Sequence, residues 1–103
     1  MSSILVVQEG TQEQSANEKL PWAMDVSNFG DSPTSPTAVA IDETTDTTVT
    51  STVFPTNSPS VSSNTITLSP LQALTIGHLY KIKVLFTIGD ATYEPCFFVK
   101  CTM

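Results

Sequence analysis

The sequence contains no arginine, and its lysines are limited to four positions: Lys19, Lys81, Lys83 and Lys100. Charged residues make up 14% of the 103 residues, below the about 25% of a typical globular domain. The formal net charge is −6. Nucleic acids and anionic membrane surfaces are bound mainly through clustered lysine and arginine, so this balance argues against both as partners. Polar surface comes instead from 12 serines and 16 threonines.

A long apolar run is also missing. No segment approaches the about 20 residues that cross a membrane as a helix. The apolar segment at residues 4–7 is too short for the hydrophobic part of a secretory signal, and no basic residue precedes it. We therefore expect a protein made in the cytoplasm, outside the membrane, with the length of one ordinary domain.

Residues that commonly carry catalysis are few. His78 is the only histidine, and there is no nucleophile–base motif, phosphate-binding glycine loop or Cys-x-x-Cys pair. We therefore expect no enzyme and no cofactor. The acidic group Asp42, Glu43 and Asp46 is interpreted as a solvated turn, with a weak cation site as the alternative.

The two cysteines, Cys96 and Cys101, lie five residues apart on one predicted strand. Such a spacing puts them on opposite faces, about 16 Å apart. A disulfide needs Cα atoms within about 7 Å. We expect two free thiols, and an interchain bond at either cysteine stays open.

Alternating apolar and polar residues indicate about seven β-strands separated by turn residues. The clearest strand spans residues 79–88, where Tyr80 and every second residue after it face a core. Residues 65–68 and 22–27 show the same period. The segment 37–42 is predicted as a strand with Val39 and Ile41 inward, and 48–54 as another. After a hairpin turn at 89–90, a last strand over 91–101 is predicted either to be an edge strand or to be interrupted at Pro95, because proline cannot donate to a ladder.

The spacing of Leu74, Gly77 and Tyr80 is typical of a tyrosine corner, in which a buried tyrosine near a strand start hydrogen-bonds to upstream backbone. With the strand spacing, it predicts an all-β fold: an immunoglobulin-like or fibronectin type III-like β-sandwich of about seven antiparallel strands. We assign residues 21–103 to this sandwich and residues 1–20 to an extended N-terminal arm.

Two features indicate contact with other proteins. One is the apolar segment of the arm, predicted to pair with the chain's own sheet or to be donated to a neighbour; it consists of Ile4, Leu5, Val6 and Val7. The other is the pair Phe97 and Phe98. Adjacent strand residues point to opposite faces, so one ring must leave the inner face. The second face holds Cys96 and Phe98 with Glu94 and Lys100. Either another element covers this face, such as the N-terminal arm, or it is a protein-contact surface for which Phe98 is the predicted residue.

Several motifs occur in a particular order: WAMDVS at 22–27, AVAIDE at 38–43, VTSTV at 49–53, SVSSNTIT at 60–67, the LxxLxxGxxY corner, and YE at 93–94 before the final strand. Over about residues 20–101 this order resembles small immunoglobulin-like structural proteins of tailed bacteriophages. The N-terminal arm is longer than in the shortest of those proteins.

This resemblance implies a non-catalytic virion structural protein, made in the host cytoplasm. Its implied partners are the major capsid protein or other virion subunits, including copies of itself in a homo-oligomer. We favour a capsid cement or decoration protein, and a tail or fibre adaptor ring is the alternative. A carbohydrate- or cell-surface-binding module is a further alternative, which needs exposed aromatic platforms. Here only Trp22, Phe29, Phe54, Tyr80 and Tyr93 could serve, and Trp22 is expected in the core.

Overall fold

The computed structural model describes residues 5–7, 11–27 and 29–102. Within these ranges the protein is all-β, with ten strands and one short helix. The elements are β1 (Leu5–Val7), β2 (Thr11–Gln14), β3 (Trp22–Asp25), β4 (Thr34–Asp42), β5 (Thr47–Thr48), α1 (Thr50–Val53), β6 (Ser60–Ser62), β7 (Thr65–Thr67), β8 (Leu79–Ile88), β9 (Ala91–Tyr93) and β10 (Cys96–Cys101).

The strands form two sheets. The smaller sheet has the order β1-β3-β7-β6, and the larger has the order β2-β10-β8-β4-β5, with β9 also paired to β8. Their inner faces share one apolar core, in which the rings of Trp22 (β3) and Phe97 (β10) lie 6.3 Å apart. The predicted core position of Trp22 is confirmed, because only 6% of the residue is exposed.

The strand at the centre of the larger sheet, β8, follows the predicted alternation. Its inward residues Tyr80, Ile82, Val84 and Phe86 are each at most 2% exposed. The hairpin turn at Gly89 is confirmed, with a positive φ of 60° that glycine adopts without steric conflict. The interruption at Pro95 is confirmed too, because it separates β9 from β10.

The predicted phase of β4 is wrong. Ala38, Ala40 and Asp42 are buried, whereas Val39 and Ile41 are half-buried on the outer side. The inward residues of β4 lie beside Val84, Ile82 and Tyr80 of β8. Alanine is small enough to lie beside these larger side chains in a close-packed core.

The strand predicted over 48–54 is also wrong. The structure has the short strand β5 and the helical turn α1. Val53 and Phe54 are both buried, at 1% and 2% exposure. A strand would send these adjacent side chains to opposite faces, whereas the end of a helical turn lets both enter the core. The Thr50 hydroxyl accepts a hydrogen bond from the Ala40 backbone N–H at 3.0 Å, in place of a ladder bond to β4.

Within the predicted N-terminal arm, the described residues contain two strands that pair within the same chain. β1 runs parallel to β3, and β2 runs parallel to β10. The two strands therefore lie at the edges of different sheets. The predicted contact residue Ile4 falls outside the described residues, while Leu5, Val6 and Val7 form β1.

Candidate protein-contact surface

The outward side of the larger sheet combines apolar residues with lysines, and we call it the lysine face. In one row across the strands lie Phe98, Lys81 and Ile41; in the next lie Cys96, Lys83 and Val39. Lys100 and Leu85 extend the face beyond these rows. Thr11 and Glu13 of β2 lie beside Phe98 and Lys100 at the edge of the face. The lysine face is thus made of Thr11, Glu13, Val39, Ile41, Lys81, Lys83, Leu85, Cys96, Phe98 and Lys100.

The apolar part of this face is only partly covered. Leu85 is 36% exposed, and Phe98 is half-buried between Thr11 of β2 and Lys81 of β8. Phe97, its neighbour, is 1% exposed in the core. The prediction that the two rings point in opposite directions is therefore confirmed. An aromatic ring at the middle of a sheet face is a common anchor of protein interfaces.

The charged part holds three of the four lysines. Lys81 and Lys83 are half-buried, which is typical of lysines whose aliphatic stems lie along apolar surface while the ammonium group stays in water. Lys100 donates a hydrogen bond from Nζ to the Gly77 carbonyl at 3.0 Å. Among the described residues, the one ion-pair contact is between His78 and Asp42, and none involves a lysine.

The predicted contact residues do not form one surface. Phe98 lies on the lysine face, whereas Leu5, Val6 and Val7 belong to a strand of the smaller sheet. Sequence reasoning missed Val39 and Ile41 on the lysine face because it assigns both residues to the core. The available signal was the alternation of Lys81 and Lys83 with Ile82 and Val84, which marks the outward side of β8.

The residues of the predicted tyrosine corner lie together at one end of β8. The Tyr80 hydroxyl accepts a hydrogen bond from the Thr75 backbone N–H at 2.7 Å, and Tyr80 is 2% exposed. Leu74 is buried, and Gly77 has a φ of 88°, in the left-handed region that glycine adopts freely. The connection that precedes β8 is hydrogen-bonded to β10, because the Gly77 N–H donates to the Cys101 carbonyl.

A buried carboxylate, not anticipated from the sequence, lies next to this corner. His78 Nδ1 is 2.7 Å from Asp42 Oδ2, and the backbone N–H groups of Thr44 and Thr45 donate to Asp42 Oδ1. Burial by itself raises the pKa of Asp42, but the hydrogen bonds from His78, Thr45 and Thr44 and the attraction of His78 together lower this pKa below its ordinary value.

These contacts bear on the alternative of a weak cation site at the acidic turn. Both oxygens of the Asp42 carboxylate already have partners within the chain. Within the described ranges, no group of three or more histidine, cysteine, aspartate or glutamate side chains is placed to hold a metal ion.

Gln14 is a second buried polar residue that the sequence did not reveal. Its amide oxygen accepts from Trp22 Nε1 at 2.8 Å, and its amide nitrogen donates to the carbonyls of Leu71 and Glu18. Gln14 is 1% exposed. It therefore fastens β2, one edge of the lysine face, to the core. Such a partner far along the chain leaves no local sequence pattern.

The aromatic residues considered for a carbohydrate platform are mostly internal. Trp22, Phe54 and Tyr80 are buried. Phe29, at 37% exposure, packs its ring against Phe86 and Tyr93 at 5.5 and 5.1 Å. Only Phe29 and Tyr93 of this set keep surface for stacking on a sugar, so this arrangement gives little support to a carbohydrate-binding module.

The two cysteines are free, as predicted. Cys101 is buried, and Cys96 is half-buried on the lysine face opposite Lys83. A thiol that faces outward within this surface makes Cys96 a chemical reporter of whether the surface is covered.

Comparisons of the chain with protein-family models, with curated proteins and with solved structures give no match. In the part of the chain that the structure describes, no helix is long and apolar enough to cross a membrane.

Proposed function

We propose that this is a non-catalytic structural protein that binds other protein subunits through the lysine face. The observation that carries the proposal is a group of apolar side chains on one sheet face, the exposed Leu85 with the half-buried Phe98, Val39 and Ile41. They are set among lysines that make no ion pair within the described residues. A partner that covers the face gains apolar burial and charge pairs together.

We propose an immunoglobulin-like β-sandwich as the fold. Support comes from the sheet orders, since β3, β7 and β6 form one sheet while β4, β8 and β10 form the other, as in that architecture. The contact between Tyr80 and Thr75 at the start of β8 is further support, because it has the geometry of a tyrosine corner.

As the biological setting, we propose the particle of a tailed bacteriophage, with capsid cement as the favoured role and a tail or fibre adaptor ring as the alternative. This setting rests on the sequence resemblance. A role on many equivalent shell positions suits a small acidic domain with one contact face, because each copy needs only one attachment surface.

Copy number separates the two roles. Quantitative mass spectrometry of purified particles should find hundreds of copies for a cement protein, whereas about six or twelve copies indicate a tail ring. Absence of the protein from purified particles contradicts the setting.

Incorporation of variants tests the contact surface itself. Leu85→Ser removes an apolar side chain from the lysine face. Val61→Ser changes a residue of similar exposure, 37% against 36%, on the edge strand of the smaller sheet. We expect Leu85→Ser to lower incorporation at least tenfold and Val61→Ser to leave it within twofold. Equal incorporation of the two variants contradicts the proposed surface.

A further inference from the structure

We propose that two copies of this chain pair through the edge strand β6, in an antiparallel contact about a two-fold axis. β6 is the last strand of the smaller sheet, and within the described residues its strand partner is β7 alone. All three of its residues, Ser60, Val61 and Ser62, are exposed. An edge strand of this kind presents backbone N–H and C=O groups that another strand can bind.

A second copy is the partner that fits, because the sequence of β6 reads the same in both directions. In an antiparallel pair centred on Val61, each Val61 lies opposite the other Val61, and each Ser60 lies opposite a Ser62. Every cross-strand pair then joins like side chains, valine with valine and serine with serine. Hydroxyl pairs and β-branched pairs of this kind stabilise neighbouring strands.

The exposure of Val61 supports this arrangement. Within the chain, Val61 is the cross-strand partner of Ile66, a core residue, so its side chain is on the inner side of the sheet. It is nevertheless 37% exposed. A valine from a second copy, placed beside it at the same edge, would remove apolar surface of both side chains from water.

Charge does not oppose the contact, although the net charge is −6. Residues 47–77, which include β6 and β7, contain no charged residue. Asp31 bonds to Asn64 in the turn after β6, so the two copies of Asp31 would lie at opposite ends of the paired strands. Asp25 is two strands from β6, which places its two copies about 24 Å apart. Salt screens repulsion over that distance.

The edges of the larger sheet are less suited to such pairing. β2 carries the exposed Glu13, and β5 has only two residues before the helical turn α1. Charge and short length both disfavour pairing between molecules. β6 is limited too, because Pro59 directly precedes it and cannot donate to a ladder. We therefore expect a weak, reversible dimer with a Kd on the order of 0.1–1 mM.

This inference goes beyond the proposed function, because β6 belongs to the smaller sheet and the lysine face to the larger one. Pairing through β6 leaves both lysine faces free. A dimer therefore presents two attachment surfaces, and linked surfaces bind an array of subunits more tightly than one surface alone.

Sedimentation equilibrium of the purified full-length protein, at concentrations up to about 1 mM, tests the pairing. Val61→Lys puts like charges opposite each other at the two-fold axis. Ile76→Lys makes the same change of charge at an apolar residue that is 63% exposed in the connection before β8. We expect Val61→Lys to weaken the wild-type dimer at least tenfold and Ile76→Lys to leave it within twofold. A wild type that stays monomeric, or equal association of the two variants, overturns the inference.

Cysteine cross-linking tests the register. Val61→Cys should form a disulfide with the same position of a second copy. A mixture of Ser60→Cys and Ser62→Cys should cross-link at least fivefold more than either variant alone. Adjacent positions of an antiparallel pair alternate between close and wide spacing, so one of the two tests falls at a close pair. Peptide mass spectrometry distinguishes these bonds from any at Cys96.

Absence of both cross-links overturns the pairing through β6. If Ser60→Cys alone cross-links as well as the mixture does, the antiparallel register is wrong. These results come from the isolated protein and are distinct from failure of the proposed function. Val61→Ser adds no charge and keeps the backbone of β6, so it remains a control for Leu85→Ser in the particle experiment.

Discussion

The outer sides of the two sheets differ in chemistry although both lie over the same core. On the smaller sheet, Asp25, Thr65 and Ser62 form one row and Thr67 and Ser60 another. We call this the hydroxyl face. The hydroxyl and carboxylate groups of this face are of the kind that water can satisfy. The lysine face instead combines a half-buried phenylalanine with leucine, valine and isoleucine. The contrast indicates that the hydroxyl face is suited to remain solvated and that the lysine face is suited to be covered by a partner.

The largest expected difference in the free energy of unfolding is between Phe97→Ala and Phe98→Ala. This pair tests whether Phe98, on the lysine face, contributes to the stability of the fold. Phe97 lies in the core, so its truncation should lower the free energy of unfolding by about 4 kcal/mol. Phe98 points outward, and its truncation should lower it by about 1 kcal/mol or less. Chemical denaturation of both variants measures the two values. Equal losses would mean that Phe98 is a core residue and that the two faces do not differ as described.

Gln14→Ala and Ser60→Ala compare the stability of one edge strand from each sheet. Gln14→Ala leaves Trp22 Nε1 and the Leu71 carbonyl without their partner, so we expect a loss of about 3 kcal/mol in the free energy of unfolding. Ser60→Ala, on the exposed edge strand of the smaller sheet, should change it by less than about 0.5 kcal/mol. A neutral Gln14→Ala would show that β2 is not fastened to the core in solution.

Tyr80→Phe tests the end of β8, the strand at the centre of the lysine face. Loss of the hydrogen bond from the Thr75 N–H should lower the free energy of unfolding by about 1 kcal/mol. Tyr93→Phe removes the same atom from a half-buried ring and serves as the control. If the two variants are equally stable, the corner does not contribute as proposed.

Acid unfolding gives the smallest expected effect and again compares the two sheets. Because the pKa of Asp42 is lowered, its carboxylate stabilises the folded state above the ordinary value of 3.8, and this contribution is lost as the pH falls through the lower folded pKa. Asp42→Asn should therefore be less stable at pH 6 and lose less stability on acidification.

Asp25 is the control on the hydroxyl face. Its pKa is lowered by hydrogen bonds from the backbone and side chain of Ser27, but the carboxylate is fully exposed. Asp25→Asn should leave the acid-unfolding curve nearly unchanged. A curve for Asp42→Asn that superimposes on the wild type would contradict the stabilising role of the Asp42 contacts.

How much the sequence could predict differs between strands. β8 and β7 alternate large apolar residues with other residues, so the sequence predicts which of their side chains face the core. In β4 the same rule assigned Val39 and Ile41 to the core, because hydrophobicity was read without the size of the neighbours. The inward side chains are Ala38 and Ala40, which fit beside Ile82 and Val84 of another strand. Only the register of β4 with β8 shows which residues of β4 face the core.

The candidate surface was predictable only in part. Phe98 could be placed outward because it adjoins Phe97 on one strand. The rest of the lysine face depends on three strands from distant parts of the sequence that align Phe98, Lys81 and Ile41 in one row. Likewise, the partners Asp42 and His78 are 36 residues apart. Alternation within a strand gives the face of a residue, but not its cross-strand neighbours.

Alkylation of Cys96 tests most directly whether the lysine face is covered in the assembled state. The rate of modification by a small maleimide would be measured by mass spectrometry for the isolated protein and for purified particles, with buried Cys101 as the internal control. We predict that Cys96 reacts at least tenfold more slowly in particles while Cys101 stays unmodified in both. Equal rates at Cys96 in the two states would contradict the account.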